Sequence, residues 1–369
     1  MKNDLDGLLV ISLEQAVAAP YCSRLLRESG ARVIKLERPD GDFARKYDDI
    51  LHGDSAYFVW LNSGKESVTV DLKIEKDIEV LKNLLNKADV FIQNLRPGAV
   101  ERLGFGYKAV QTLNPNVVMC SISGYGSTGS YSQMKAYDAL IQAETGLCSV
   151  TGPPGEPSKV GASIVDIATG LTAYGEILKK LIKRGTKSGS GAHIELSLFE
   201  VLSEWLSVPL SYYEYADKLL QGTGMDHGQI CPYGAYDTRD GKIFIVVQNH
   251  MEWVRLCEQV LDRPALVSDP LYDSNMKRAE NRNTLKLEIE GVFKLSDRNQ
   301  LMESLQNAGI ACGSINTLQD LSKHDALKRK NVLSSGNSFS LIRRVGDESQ
   351  NLQVPDLGAH SDSVRREFS

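Results

Sequence analysis

An α/β protein built on an open, mostly parallel sheet and followed by a smaller α+β domain is the fold class this 369-residue sequence predicts. Three observations carry that expectation. From Leu8 to about Glu200, short β-branched apolar runs alternate with helical patterns, the signature of βαβ units. After the turn-rich stretch from Gly222 to Gly234 the pattern changes to a hairpin and then to amphipathic helices. The composition, 42% apolar and 24% charged, is that of ordinary globular chain, and the length suits two to three domains at about 150 residues each.

Taken in order, the apolar run at residues 8–13 is a strand, 20–29 a helix and 32–36 a second strand. Residues 67–70 make a third strand, and 74–88 a helix with Val80, Leu81, Leu84 and Leu85 on one face. Further strands are expected at 90–92 and 116–122, so the alternation reads as a Rossmann-like sheet. The spacing of Ile164, Ile167, Ala168, Leu171, Leu178, Leu181 and Ile182 predicts a helix over 163–183, closed by Arg184-Gly185. A loop at 186–191 leads to a strand at 193–196 and a helix at 199–206. Residues 236–242, with Asp240-Gly241, read as a hairpin turn, 243–247 as a strand, and three amphipathic helices follow to about Ala308. The expected division is a large domain at 1–200 completed by 331–369, a small domain at 225–325, and linkers at 201–224 and 326–330.

Net charge is −5, which gives no electrostatic grip on a nucleic acid backbone or an anionic bilayer and favours a small-molecule partner. The six cysteines, at 22, 120, 148, 231, 257 and 312, form no CxxC or zinc-knuckle pair and read as buried, reduced thiols. The first residues lack a charged segment followed by an apolar one, and no run approaches ~18 apolar residues. A soluble cytosolic protein is expected. The six histidines show no metal-ligand spacing and no GxSxG elbow is present, so neither a metal site nor serine hydrolysis is expected.

Gly124-Tyr125-Gly126-Ser127-Thr128-Gly129 is a literal GxGxxG after a strand, but the dinucleotide fingerprint needs a helix opening inside the glycines, and residues 130–135 are polar and aperiodic. Another use of that loop is expected. Asp166 falls in the first turn of the long helix, where a carboxylate complements the helix dipole and is kept ionised by it. Arg38, Arg45, Lys73, Arg96 and Arg102 fall at strand ends or in the following loops, where open α/β sheets bind ligands; converging cations there suit a polyphosphate. Lys135, Tyr137 and Asp138 precede the small-residue run 143–146.

Taken together, Val33-Ile34-Lys35-Leu36-Glu37-Arg38-Pro39 with Gly41-Asp42, Val70-Asp71-Leu72-Lys73, and Gln93-Asn94-Leu95-Arg96-Pro97-Gly98 with Arg102-Leu103-Gly104 resemble the family III CoA-transferases. That group includes formyl-CoA transferase, carnitine CoA-transferase and the α-methylacyl-CoA racemases. The resemblance continues in order through Gly124-Tyr125-Gly126, Tyr137-Asp138 with Gln142-Ala143, Asp166 with Gly170, Gly189-Ser190-Gly191 with Ser197-Leu198, and residues 355–362.

The resemblance implies that an aspartate, here Asp166, attacks an acyl-CoA thioester to give a mixed anhydride and then an aspartyl-CoA thioester, from which an acceptor acid collects CoA. It implies CoA contacts from Val17, Ala18, Arg38, Val70, Asp71, Leu72, Lys73, Asn94, Leu95, Arg96 and Arg102. It places Lys135, Ala136, Tyr137 and Asp138 at the acyl end, with Gly224 and His227 of a glycine-containing loop at 222–228 as the counterpart of a lid. No resident cofactor is implied; CoA is substrate. Family III transferases are also interlocked dimers of two threaded rings, so a homodimer is expected. The racemase branch carries histidine at the Tyr137 position, and a tyrosine with its ordinary pKa of about 10 is a poor base at neutral pH, which favours transfer. The segment 159–164 with Gln248-Asn249 and Glu252-Trp253 looks most like the branch handling C4 and C5 dicarboxylates. An acyl-CoA racemase and a CoA-binding homologue without turnover are the alternatives.

Overall fold

The computed structural model describes residues 4–186 and 189–369, so residues 187 and 188 of the expected loop at 186–191 lie outside the described residues. The chain divides into two compact units. The first holds the chain up to Cys148, Lys159–Leu219 and Lys328–Ser369; the second holds Ser149–Ser158 and Leu220–Leu327.

The first unit is organised by six parallel strands, β1 (Leu9–Leu13), β2 (Arg32–Glu37), β3 (Glu66–Thr69), β4 (Val90–Gln93), β5 (Val118–Ser123) and β6 (Ala192–Ser197). Their order is β3-β2-β1-β4-β5-β6, with Val10 paired to both Val33 and Val90. Strands covered by helices on both faces must be apolar on both, and the continuous runs that identified them in the sequence follow from that. Alternate residues feed opposite cores. Val10, Val33, Ile92 and Cys120 pack with Leu26 of the helix Ala18–Glu28 and with Ala173 and Ile177 of the helix Ile164–Thr186. Ile11, Ile34, Phe91 and Met119 pack on the other face with Leu81, Leu84 and Leu85 of the helix Glu75–Lys87 and with Val364 and Phe368 near the C-terminus. The strand order reverses between β1 and β4, and the crevice outside their carboxyl ends is where such sheets take a ligand.

Two details position that crevice. The first helix starts at Ala18, two residues earlier than its sequence pattern suggested, because Pro20 sits in the first turn, where its missing N–H leaves no bond unmade. The helix Ile164–Thr186 crosses it at Gly170, where a Cβ would lie 2.6 Å from the Ala18 carbonyl oxygen and 3.0 Å from the Tyr21 Cβ.

A second sheet in this unit joins β10 (Arg329–Ser334), β11 (Asn337–Ile342) and β12 (Leu352–Gln353). Ser207–Ala216, inside the stretch expected to be a linker, is a helix with no buried residue.

In the second unit β7 (Tyr233–Thr238), β8 (Gly241–Val246) and β9 (Ala311–Ser314) form an antiparallel sheet, with Arg239-Asp240 as the two-residue hairpin loop. Its core gathers Ile243, Ile245, Trp253, Leu285, Ile289 and Phe293. Four α-helices rather than three precede β9, because Ser274 caps a separate short helix, Asn275–Glu280, ahead of Arg282–Phe293. The excursion Ser149–Ser158 is stitched to the 222–224 loop, with the amides of Gly222 and Gly224 donating to the carbonyls of Ser149 (3.1 Å) and Gly152 (2.7 Å).

All six cysteines are free; Cys148 and Cys312 are only partly buried, unlike the other four. Among the described residues no helix is long and apolar enough to cross a membrane.

Candidate active site

A cavity of about 380 Å3 opens at the carboxyl ends of β1, β4 and β5 in the first unit. Its wall after β1 is the turn Gln15-Ala16-Val17, held by groups far off in sequence. The Gln15 amide donates to Asn94 Oδ1 (3.0 Å) and Asn94 Nδ2 donates to the Gln15 carbonyl (2.8 Å). Asn94, expected as a CoA contact, lines the cavity together with Val17, Ala18, Leu95 and Arg96, while its side-chain amide holds the loop.

The opposite wall carries Lys135, Ala136, Tyr137, Asp138 and Asp166, so the structure brings together the whole acyl-end set of the first unit. Gly124 explains the glycine-rich loop: a Cβ there would lie 2.2 Å from that of Ala136, so only glycine admits the 135–138 segment. Turns, and no helix, follow it until Asp138, as the sequence reading required.

Asp138 and Asp166 divide between them a role that the sequence pattern assigns to Asp166 alone. Asp138 Oδ2 accepts from the amides of Val165 (2.8 Å) and Asp166 (3.1 Å), so the carboxylate that caps the long helix comes from 27 residues away. Its Oδ1 accepts from Gln142 Nε2 (2.6 Å), and Gln142 Oε1 accepts from the Val160 amide (2.8 Å), which anchors the chain just before the helix begins.

Asp166 lies in the first turn as expected, but the backbone N–H groups there are taken by Asp138, and the expectation that the helix field keeps Asp166 ionised is corrected. Its carboxylate opens on the cavity but has protein on its other sides. Burial first, and the Asp138 charge second, push it up to about 7.

Phe43 and Tyr47, which sequence reasoning missed, also line the cavity. Both fall in the loop after β2, at the carboxyl ends of the strands, and that position was the available signal. Burial, with Asp42 and Asp166 nearby, pushes the Tyr47 hydroxyl up to about 12, so it is a hydrogen-bond donor at neutral pH.

Val70, Asp71, Leu72 and Lys73 line a second cavity of about 440 Å3, to which Arg38 and Leu95 belong as well as to the first. Arg38, exposed and 3.5 Å from Asp40, stands where the two meet. Arg102 lines neither cavity; its guanidinium lies against Gly98. Gly224 and His227 belong to the second unit, where His227 Nδ1 accepts from the amides of Gln229 and Ile230 (both 3.0 Å) and so shapes its own loop.

Behind the first cavity lies a dry cluster of charges. Lys65 Nζ donates to Glu14 Oε1 (2.8 Å), and Lys35 Nζ to Asp42 Oδ2 (2.8 Å) and Glu14 (3.4 Å), all four side chains being fully buried. Burial alone would raise Glu14, but Lys65 and Lys35 outweigh it and hold the carboxyl down to about 2. Burial pulls Lys65 down to about 8 against the attraction of Glu14, because one glutamate serves two ammonium groups.

The model of CoA-transferase family III matches residues 5–348. The chain belongs to that family. Among similar proteins, the succinyl-CoA:glutarate CoA-transferase of Homo sapiens is 34% identical over 86% of this chain and 73% of its own length. The acetyl-CoA:oxalate CoA-transferase of Acetobacter aceti is 31% identical over 100% of this chain and 96% of its own. The crystal structure of a CaiB/BaiF family protein from Brucella suis superposes with a TM-score of 0.85 at 30% identity over the full length of both chains. This family III CoA-transferase is therefore an enzyme whose substrates are CoA thioesters.

Proposed function

We propose that this transferase moves CoA from an acyl-CoA, such as succinyl-CoA, to a dicarboxylic acid through a covalent intermediate on Asp166. The observation that carries the reading is the Asp166 carboxylate, half-desolvated on the wall of a cavity that continues past Arg38 into a second one. Asp166 attacks the thioester carbonyl and expels CoA thiolate, leaving a mixed anhydride. The thiolate attacks the aspartyl carbonyl, releases the donor acid and leaves aspartyl-CoA. The acceptor carboxylate then attacks that thioester, and the thiolate freed takes the acceptor's acyl carbon, returning Asp166 as carboxylate. Each step exchanges one activated acyl group for another, so no ATP, metal or resident cofactor takes part, and the protein must mainly hold the thiolate close and keep water off the anhydride.

The second cavity, with Lys73 and Arg38, suits the nucleotide phosphates, and the first, with Val17 and Ala18, the thioester end. Dicarboxylates are favoured because the similar transferases are named for glutarate and oxalate, and because Arg96 and Lys135 are exposed cations lining the same cavity as Asp166. A second carboxylate buried there without a cation would be too costly. With succinyl-CoA as donor and a panel of mono- and dicarboxylic acids read by mass spectrometry, turnover is expected with C4–C5 dicarboxylates. Equal turnover with monocarboxylates of the same length sinks the acceptor class.

A homodimer follows the same family logic. On one protomer Val208, Leu210, Tyr213, Tyr215 and Leu219 are each at least half exposed along and just beyond the helix Ser207–Ala216. So much apolar surface on one element suits a second copy of the chain. Sedimentation is expected to give a dimer down to submicromolar concentration, since obligate interfaces bury more than about 2,000 Å2. A stable monomer there contradicts it. Six free cysteines agree with a reducing, cytoplasmic setting.

A further inference from the structure

We infer that Asp42, which touches neither cavity, is a positioning residue for transfer: its single buried carboxylate ties together the two loops that wall the first cavity. The inference rests on the assignment of that cavity to the acyl-CoA.

The geometry is a three-way brace. Asp42 Oδ1 accepts from the amide of Ala16 (3.2 Å), in the loop after β1, and from the amide of Ala44 (2.9 Å), in the loop after β2. Its Oδ2 accepts from Lys35 Nζ (2.8 Å), and its own amide donates to Glu37 Oε2 (3.1 Å) at the end of β2. The Ala44 bond caps the 3-10 turn Phe43–Lys46, whose side chain Phe43, with the adjoining Tyr47, lines the cavity. The Ala16 bond fixes the turn that presents Val17 and Ala18 to the same space.

Ala16 needs such a hold. Its φ of 64° is left-handed, a conformation that strains a residue with a Cβ and persists only where neighbours over-determine it. Asp42 supplies one constraint through the Ala16 amide and Asn94 the other through Gln15. Without the Asp42 acceptor, Ala16 relaxes to negative φ and carries Val17 and Ala18 with it. The charge of Asp42 is a separate matter, since it serves Lys35.

Charge and position are separated by two double variants. In K35M/D42N the ion pair is gone but the Asn carbonyl still accepts both amides; in K35M/D42A the ion pair and the acceptor are both gone. The Michaelis constant for acyl-CoA is expected to rise less than about threefold in the first, because both backbone bonds survive. In the second it is expected to rise on the order of tenfold or more, with kcat changing less, because the binding wall itself has moved. Adding A16G to K35M/D42A, which makes the left-handed turn costless, is expected to restore most of the loss. Should K35M/D42A fail to fold, A16V decides: a β-branched residue cannot hold the turn, and it is expected to raise the same constant with Asp42 intact. Equal constants in the two doubles, no rescue by A16G, or an unchanged constant in A16V each overturn the assignment. R38A, measured alongside, separates the two readings. If it raises the constant while the doubles agree with each other, the cavity stands and the brace falls. If it has no effect, the cavity assignment itself falls.

Discussion

Asp166→Asn is expected to abolish transfer, by on the order of a thousandfold or more, while leaving CoA affinity nearly unchanged and making the protein more stable. The first effect follows from chemistry, since an amide keeps the shape of the carboxylate but cannot form the anhydride. Digestion and mass spectrometry after incubation with donor acyl-CoA are expected to find the CoA adduct, or its hydroxylamine-trapped product, on the peptide containing Asp166. An adduct on another carboxylate, or near-normal turnover of Asp166→Ala, removes the mechanism.

The gain in stability follows from proton linkage. With its folded pKa near 7 against the ordinary 3.8, Asp166 holds more protons folded than unfolded between those values, so it costs stability increasingly as pH rises through that window. The full cost is roughly 4 kcal/mol at most, less what water in the open cavity screens. Asp166→Asn removes it, so its advantage in melting temperature over the natural chain is expected to be larger at pH 8 than at pH 5; equal or reversed differences contradict the desolvation. For the same reason kcat/KM of the natural chain is expected to fall as pH drops through about 7, because only the ionised form attacks.

Lys65→Met is expected to cost roughly 3–5 kcal/mol, the range for removing one partner of a buried pair. Glu14 would keep only Lys35, at 3.4 Å, besides its serine hydrogen bonds, in a site closed to bulk solvent. Replacing Glu14 by Leu as well is expected to recover much of that loss, since an apolar pair of similar volume is often tolerated where a lone charge is not. Thermal denaturation reads both, and a Lys65→Met protein as stable as the natural one shows that the cluster is not dry.

What the sequence disclosed and what it withheld divide along one physical line. Strands buried on both faces leave continuous apolar runs, so β1, β2, β4 and β5 were legible to within two residues, and Asp166, Tyr137 and Val17, which the resemblance singles out, line one cavity. Bonds closed across long separations leave no local trace. Asp138 caps a helix that starts 26 residues later, Asn94 clamps Gln15, and the Ser149–Ser158 excursion joins the second unit by pairing with Gly222 and Gly224. Helix Ser207–Ala216 escaped for the opposite reason: with no buried residue, it shows no stripe whose period could be read.

The crossing at Gly170 gives the site its gauge. Asp166 sits one turn before Gly170 on the same face of its helix, and the atom that a Cβ at 170 would strike is the carbonyl of Ala18, itself part of the opposite wall. The spacing between Asp166 and the Ala18 side of the cavity is therefore set by a close backbone approach, a mechanical stop whose jaws meet at the Ala18 carbonyl and the Tyr21 side chain. A single methyl group wedged there pries the jaws apart by roughly an ångström, a misplacement of the size that can cost a reaction about a hundredfold. The tolerance of the chemistry is thus machined into a residue that takes no part in it, and drift at this position is audible in the rate before it is visible in the fold.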